Sequence, residues 1–306
     1  MSRGHQPGEH LDPRVSSEER EPLVSEPSRT DEAREQAPEE GSLSPSREPD
    51  HTPSYPSELR KNYELRGRTY RLRDSEIATM IELGKFRAVA REDLADFAYD
   101  GDEVRMRPDL ENLLRQGVAE MKIIPHEETG SRQLLTLTKI GHRFLTDTRA
   151  AGKEQALYHG FTKPREAHHD ADLYRLYQKA AAKIESQGGR NLRVVLDYEL
   201  KKHLYHDLAK LGKDRNSPAS KRAVAEQHGL KVVRGKIPLP DVRIEYETRD
   251  GEKARVDLEL ATGHYRGRNL AEKVRAGFAI YAHADEASKL RRVLDQQELT
   301  AEILSL

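Results

Sequence analysis

A chain of 306 residues with a net charge of −1, a mean hydropathy of −0.87 and no cysteine is long enough for one large domain or two ordinary ones. The missing cysteine excludes disulfides, thiolate zinc sites and a cysteine nucleophile. No apolar run approaches the roughly 18 residues of a membrane span, and the start, MSRGHQPGEH, lacks the apolar core of a signal peptide, so a soluble, cytoplasmic protein with no membrane partner is expected.

Residues 1–60 hold nine of the fifteen prolines and 14 acidic against 7 basic side chains. Such a segment buries too little apolar surface to offset its ordering entropy, which predicts a disordered acidic, Pro-rich tail over 1–65. The tail's net −7 leaves +6 for the rest of the chain, and with 16 charges of each sign in 61–150 the excess lies beyond 150. That mild bias is compatible with a polyanion partner.

The region 66–150 reads as three short amphipathic helices, a hairpin and a fourth helix. Apolar residues recur at helical spacing at Ile77, Met80 and Ile81, at Leu94 and Phe97, and at Leu110, Leu113, Leu114 and Val118. Pro108 suits the first turn of the third helix, where its missing N–H removes no bond. MKIIPHEETGSRQLLTLTKIGHRFL then gives two strands around a turn containing Gly130, and a helix that Thr138 can cap. This order resembles a winged helix-turn-helix. The resemblance implies a third helix in a major groove and a turn at 126–132 on phosphate, with Arg105, Arg107, Arg115 and Arg132 as the contacts. Asp109, Glu111, Glu127 and Glu128 on the same elements leave a protein-contact role open.

Residues 151–168 read as a connector, and 169–306 as a small mixed-sheet α/β domain. Leu173, Leu176, Tyr177, Ala180 and Ile184 line a helix that Gly188 and Gly189 end; NLRVVLDY is a strand and ELKKHLYHDLAKL a helix. A basic, turn-rich stretch, Lys210 to Arg222, precedes a strand KVVR and the hairpin LPDVRIEYETRDGEKARVDLELATG. The segment NLAEKVRAGFAIYA reads as one helix with Leu270, Val274, Phe278 and Tyr281 on its apolar face, followed by a helix near 285–295 and a terminal strand.

The hairpin fixes its own register. A loop of only Asp250 and Gly251 would pair apolar with acidic positions, whereas a loop of Arg249, Asp250 and left-handed Gly251 pairs Val242 with Leu258, Ile244 with Val256 and Tyr246 with Ala254. The same register sets Asp241 opposite Glu259, with Cβ atoms on the order of 5 Å apart. Two carboxylates that close need a proton or a cation between them, and Mg²⁺ is bound by one or two carboxylates in this way. The plain alternative is a charged, solvated strand face, which Arg243, Arg255 and Asp257 would share.

Pro240-Asp241, followed by Glu259-Leu260-Ala261, is similar to the PD-(D/E)xK nuclease superfamily. That resemblance implies that Asp241 and Glu259 bind metal, with Mg²⁺ as the one cofactor. The lysine expected two residues after the Glu is Ala261, so Lys273 on the next helix is the candidate substitute. The whole arrangement of tail, winged helix and nuclease-like domain resembles the replication-relaxation family of plasmid and mobile-element proteins. There His169 and Asp170, Glu199, and Pro240 with Asp241 would be the matching positions. The resemblance implies a DNA-binding protein acting in plasmid or mobile-element replication or mobilisation, its nuclease-like domain degenerate through Ala261. An active Mg²⁺-dependent endonuclease using Asp241, Glu259 and Lys273, and a winged-helix transcriptional regulator with a protein-binding C-terminal domain, are the alternatives. Tyr265, Arg266 and Arg268, with Lys213, Arg215, Lys221 and Arg222, are further candidates for phosphate. The pairs His203 with His206 and His168 with His169 lack a third zinc ligand.

Overall fold

The computed structural model describes residues 59–126, 130–161, 163–262, 265 and 267–306. The acidic tail up to residue 58, Glu127, Glu128 and Arg266 lie outside the described residues.

A hairpin comes first, β1 (Lys61–Leu65) and β2 (Arg68–Leu72), turned by Arg66 and Gly67 at φ of 53° and 75°. Two positive φ values match the twist of paired strands. The strand β1 therefore lies inside the segment 1–65 that composition assigns to the tail. Tyr63, Leu65, Tyr70 and Leu72 alternate with polar residues and pack on the core.

Next come α1 (Asp74–Lys85), β3 (Val89–Ala90), α2 (Arg91–Ala98), α3 (Glu103–Arg115), β4 (Ala119–His126), β5 (Gly130–Leu137) and α4 (Lys139–Thr148), with a sheet ordered β3-β5-β4. Pro108 stands inside α3 and not in its first turn, because the Asp102 side chain accepts the Arg105 N–H at 2.9 Å and starts the helix earlier. Thr138 caps α4 through the Gly141 N–H at 3.1 Å, as expected.

The second half holds α5 (Pro164–Ser186), β6 (Arg190–Leu196), α6 (Asp197–Lys210), a 3-10 turn (Gly212–Asn216), α7 (Pro218–Gln227), β7 (Val242–Glu247), β8 (Lys253–Leu260), α8 (Gly267–Ala276), β9 (Ala279–Ala282), α9 (Ala284–Asp295) and β10 (Ile303–Ser305). Three expectations change. With Pro164 in its first turn, α5 starts ahead of His169, inside the expected connector. The stretch expected to be turn-rich is largely helical, with Ser217 capping α7 and Pro218 in its first turn. The long helix expected over 269–282 breaks at Gly277, whose φ is 94°, and AIYA becomes β9, parallel to both β8 and β10. A short apolar run suits a helix face or a buried strand equally, and burial inside the five-stranded sheet decides for the strand.

That sheet runs β10-β9-β8-β7-β6, so β7 and β8 lie near its middle. One apolar cluster joins Leu83, Phe86, Leu113 and Leu137 of the first half to Tyr174, Tyr177, Val194, Ile244 and Leu258 of the second. The Phe86 ring meets Tyr174 on α5 edge-on at 5.2 Å. Buried charges cross the same junction: Arg132 on β5 lies 2.8 Å from Asp172 on α5, and Arg175 lies 2.6 Å from the buried Asp93 on α2. Residues from Leu59 onward thus form one compact unit. No described helix is long and apolar enough to cross a membrane.

Candidate functional site

The register of β7 and β8 is the one that matching apolar faces requires: Val242 opposite Leu258, Ile244 opposite Val256, Tyr246 opposite Ala254. Thr248 donates its N–H to Glu252 at 2.8 Å, closing a three-residue loop in which Gly251 has φ 84°. One step beyond Val242, Asp241 leaves the ladder. Its carbonyl accepts the Asp197 N–H at 3.1 Å, and its carboxylate accepts the Leu260 N–H at 2.9 Å. The second Asp241 oxygen lies 3.8 Å from His169 Nε2 on α5.

Glu259 points from β8 to the opposite face from Leu258 and Leu260 and is fully buried. Its Oε1 lies 2.6 Å from Lys273 Nζ of α8 and also accepts the Tyr265 hydroxyl. Lys273 donates in addition to the Leu239 carbonyl at 2.6 Å, so its ammonium is held from two sides. Glu259 Oε2 is buried and has no hydrogen-bond partner among the described residues. Ala261 lies in the apolar cluster with Leu270, Phe278 and Ile280, and its N–H goes to Tyr281 at 2.8 Å. A lysine there would put its charge among those side chains; the ammonium beside Glu259 is that of Lys273 on α8.

The expectation of a solvated strand face holds at Arg255, which is exposed, and fails at Arg243 and Glu259, which are buried. Arg243 is 3% exposed, forks the Asp257 carboxylate at 2.6 and 2.9 Å, and donates to the His228 carbonyl at 2.6 Å. A buried charge on this sheet is tolerated where it finds a partner, as Arg243 does in Asp257.

Burial pushes the Glu259 carboxyl up to about 7, Asp241 adds to the rise, and Lys273 and Tyr265 oppose it. Burial also lifts Asp197, with Asp241 contributing. For His169, burial acts to lower the pKa, but the hydrogen bond and charge of Asp241, with Asp170 and Asp172, leave it raised. Negative charge therefore accumulates around one ammonium and one imidazole.

His169 lies 3.8 Å from Asp241 and Lys273 2.6 Å from Glu259, and the charge of Asp241 reaches Glu259. Asp170 acts on His169 through its charge. Glu199 is engaged elsewhere, by Arg193 and by the Tyr158 hydroxyl at 3.2 Å. Asp197, in the same first turn of α6, is the residue that senses Asp241, and only the backbone bond joining the two marks it. Tyr265, expected on phosphate, binds Glu259. Beside the site a recess of about 370 Å³ is lined by His169, Leu260, Thr262, Asp172, Arg175 and His283, among others.

Of the residues expected on phosphate, Arg105, Arg107, Arg115, Lys213, Arg215 and Arg268 are exposed. Arg132 is not: it is 7% exposed and faces Glu92, Asp93 and Asp172, a structural role at the junction. His203 and His206 are exposed, and His168 Nε2 lies 2.8 Å from the Pro125 carbonyl. Among the described residues no group of three or more His, Asp or Glu is arranged to hold a metal ion. Asp241 and Glu259 remain the fitting pair for a hard cation, with the orphaned Glu259 Oε2 as a free donor atom.

No family model matches the chain, and no curated protein does. Among solved structures, the Streptococcus mutans UA159 protein smu.1604c is similar at 16% identity, over 51% of this chain and 91% of that one, with a TM-score of 0.19.

Proposed function

We propose that this is a DNA-binding protein with a metal-dependent phosphodiesterase centre of the PD-(D/E)xK kind, in which Lys273 takes the place left by Ala261. The observation that carries the reading is the 2.6 Å approach of Lys273 Nζ to Glu259, with Asp241 one residue ahead of the neighbouring strand β7. The order α5, β6, α6, α7, β7, β8, α8, β9 supports it, as does the passage from α1 to α4, which has the order of a winged helix. Asp241 and Glu259 would hold Mg²⁺, which when bound supplies Lewis-acid activation of a phosphodiester and its attacking water. Leu260 N–H and His169 fix the Asp241 carboxylate. Lys273, anchored on the Leu239 carbonyl, is placed to orient water or to meet charge developing on phosphate. Exposed Arg105, Arg107 and Arg115 on α3 suit phosphate contact. Membership of the replication-relaxation type, acting in plasmid or mobile-element replication, is part of this proposal.

One observation favours a second reading. Glu259 is fully buried and its Oε1 is already shared by Lys273 and Tyr265. A centre locked in this state would serve recognition or assembly without cleavage. Plasmid and linear DNA incubated with the protein and Mg²⁺ or Mn²⁺, beside an Asp241→Ala, Glu259→Ala double variant, separates the two. Metal-dependent cleavage lost in the variant supports the first; salt-dependent retention without cleavage supports the second.

A further inference from the structure

Between the β1–β2 hairpin and α4 lies a recess of about 220 Å³ lined by Leu65, Arg66, Arg68, Tyr70, Ile140, Arg143, Phe144 and Asp147. Its floor is apolar: Phe144 meets Tyr70 and Tyr63 edge-on at 5.3 and 5.6 Å, and Ile140 remains 41% exposed at the rim. Three guanidinium groups face one carboxylate. Asp147 is taken by Arg66, whose Nε and Nη2 reach its two oxygens at 2.9 and 3.3 Å. Arg68 lies over the Tyr70 ring at 5.0 Å and donates to the Gln116 carbonyl, which holds its guanidinium at the rim. Arg143 is exposed and forms no ion pair with any described residue. The Arg66-Gly67 turn has two left-handed residues, which fix the hairpin edge of the recess.

The size decides the class of ligand. A cavity of about 150 Å³ holds one benzene ring, and drug-sized ligands need roughly 300 Å³ or more. At 220 Å³ there is room for one planar base and not for a duplex end. Guanidinium planes and apolar side chains are the usual partners of an unstacked base, and guanidinium groups pair with its phosphate. We propose that this recess binds one unpaired nucleobase and its adjoining phosphate in single-stranded DNA, with Arg68 and Arg143 at its rim. The inference deepens the DNA-binding reading above and is independent of whether the Asp241 centre cleaves.

The test is fluorescence anisotropy of a labelled single-stranded oligonucleotide with the full chain, across a salt series and without divalent metal. A duplex and an abasic strand of equal length run as competitors, and Arg143→Glu and Ile140→Glu, both at exposed positions, are compared with wild type by circular dichroism before use. We expect tighter binding of the single strand than of the abasic strand by about tenfold, as base contacts contribute in such sites. Arg143→Glu should weaken it by a further order of magnitude and flatten the slope of log affinity against log salt by about 0.7, one phosphate's worth. Ile140→Glu should abolish the preference for a base-bearing strand. Equal binding of abasic and normal strands by wild type, or single-strand binding unchanged in both variants, would overturn the proposal. Absence of Mg²⁺-dependent cleavage in the separate plasmid assay, with single-strand binding intact here, would sink the phosphodiesterase reading alone.

Discussion

Glu259 concentrates the energetic conflict of the site in one carboxyl group. Because its folded pKa is about 7 against 4.5 when free, the folded state binds more protons across that interval, and stability contributed by this group falls as pH rises from about 4.5 to about 7. Asp241, Lys273 and Tyr265 are the titratable groups that face it. Urea unfolding of wild type and Glu259→Gln over pH 4–8 should show the wild type losing stability relative to the variant within that window; parallel curves would refute the assignment. Arg132 makes the opposite case of a satisfied buried ion. Arg132→Ala leaves Asp172 with His283 and the buried Asp93 with Arg175 as their remaining partners, and should cost up to about 3–5 kcal/mol in the same measurement. An effect under 1 kcal/mol would place Arg132 on the surface after all. The meeting of Asp241 and Glu259 was legible in sequence, because alternation along β7 and β8 admits one register. The burial of Glu259 was not: no local pattern encodes how α8 and the His228–Gly229 turn pack over Glu259 and Arg243.

At the scale of elements, glycines show where pattern was and was not sufficient. Gly251 at φ 84° was required by the hairpin, and Gly251→Ala should destabilise by about 1–2 kcal/mol through the left-handed backbone alone, since nothing lies within 4 Å of its Cβ position. Gly141 was unremarkable in sequence, yet a Cβ there would stand 2.0 Å from the Val118 carbonyl oxygen, backbone that cannot turn aside. Gly141→Ala should therefore cost at least as much as Gly251→Ala, in the range of about 1–3 kcal/mol or above. A reversed order in thermal unfolding would contradict the packing of α4 against the end of α3. Gly277 falls inside the one helix expected over 269–282, and its φ of 94° instead ends α8 at Ala276 and releases β9. The β1–β2 hairpin escaped notice because six basic residues in RKNYELRGRTYRLR disguise its alternation of Tyr63, Leu65, Tyr70 and Leu72.

Over the whole molecule, composition separates two segments after residue 60 at about 150, but the packing does not follow it. The first half's Phe86 and the second half's Tyr174 share one core, and Arg132 with Arg175 ties α2, β5 and α5 together. Calorimetric unfolding of residues 59–306 should accordingly give one transition; two resolved transitions would mean that the halves are independent domains. The shared helix α5 also carries His169 to Asp241, so the site's geometry depends on the junction.

The central claim is that Lys273 completes a centre with Asp241 and Glu259. It is tested most directly by single-turnover cleavage of linear DNA in Mg²⁺ and Mn²⁺ by wild type and Lys273→Ala, with DNA affinity measured in parallel. The account predicts metal-dependent cleavage by wild type and a loss of roughly 100-fold or more in the variant, at unchanged affinity. Cleavage at the wild-type rate by Lys273→Ala, or no cleavage by either protein, would contradict it.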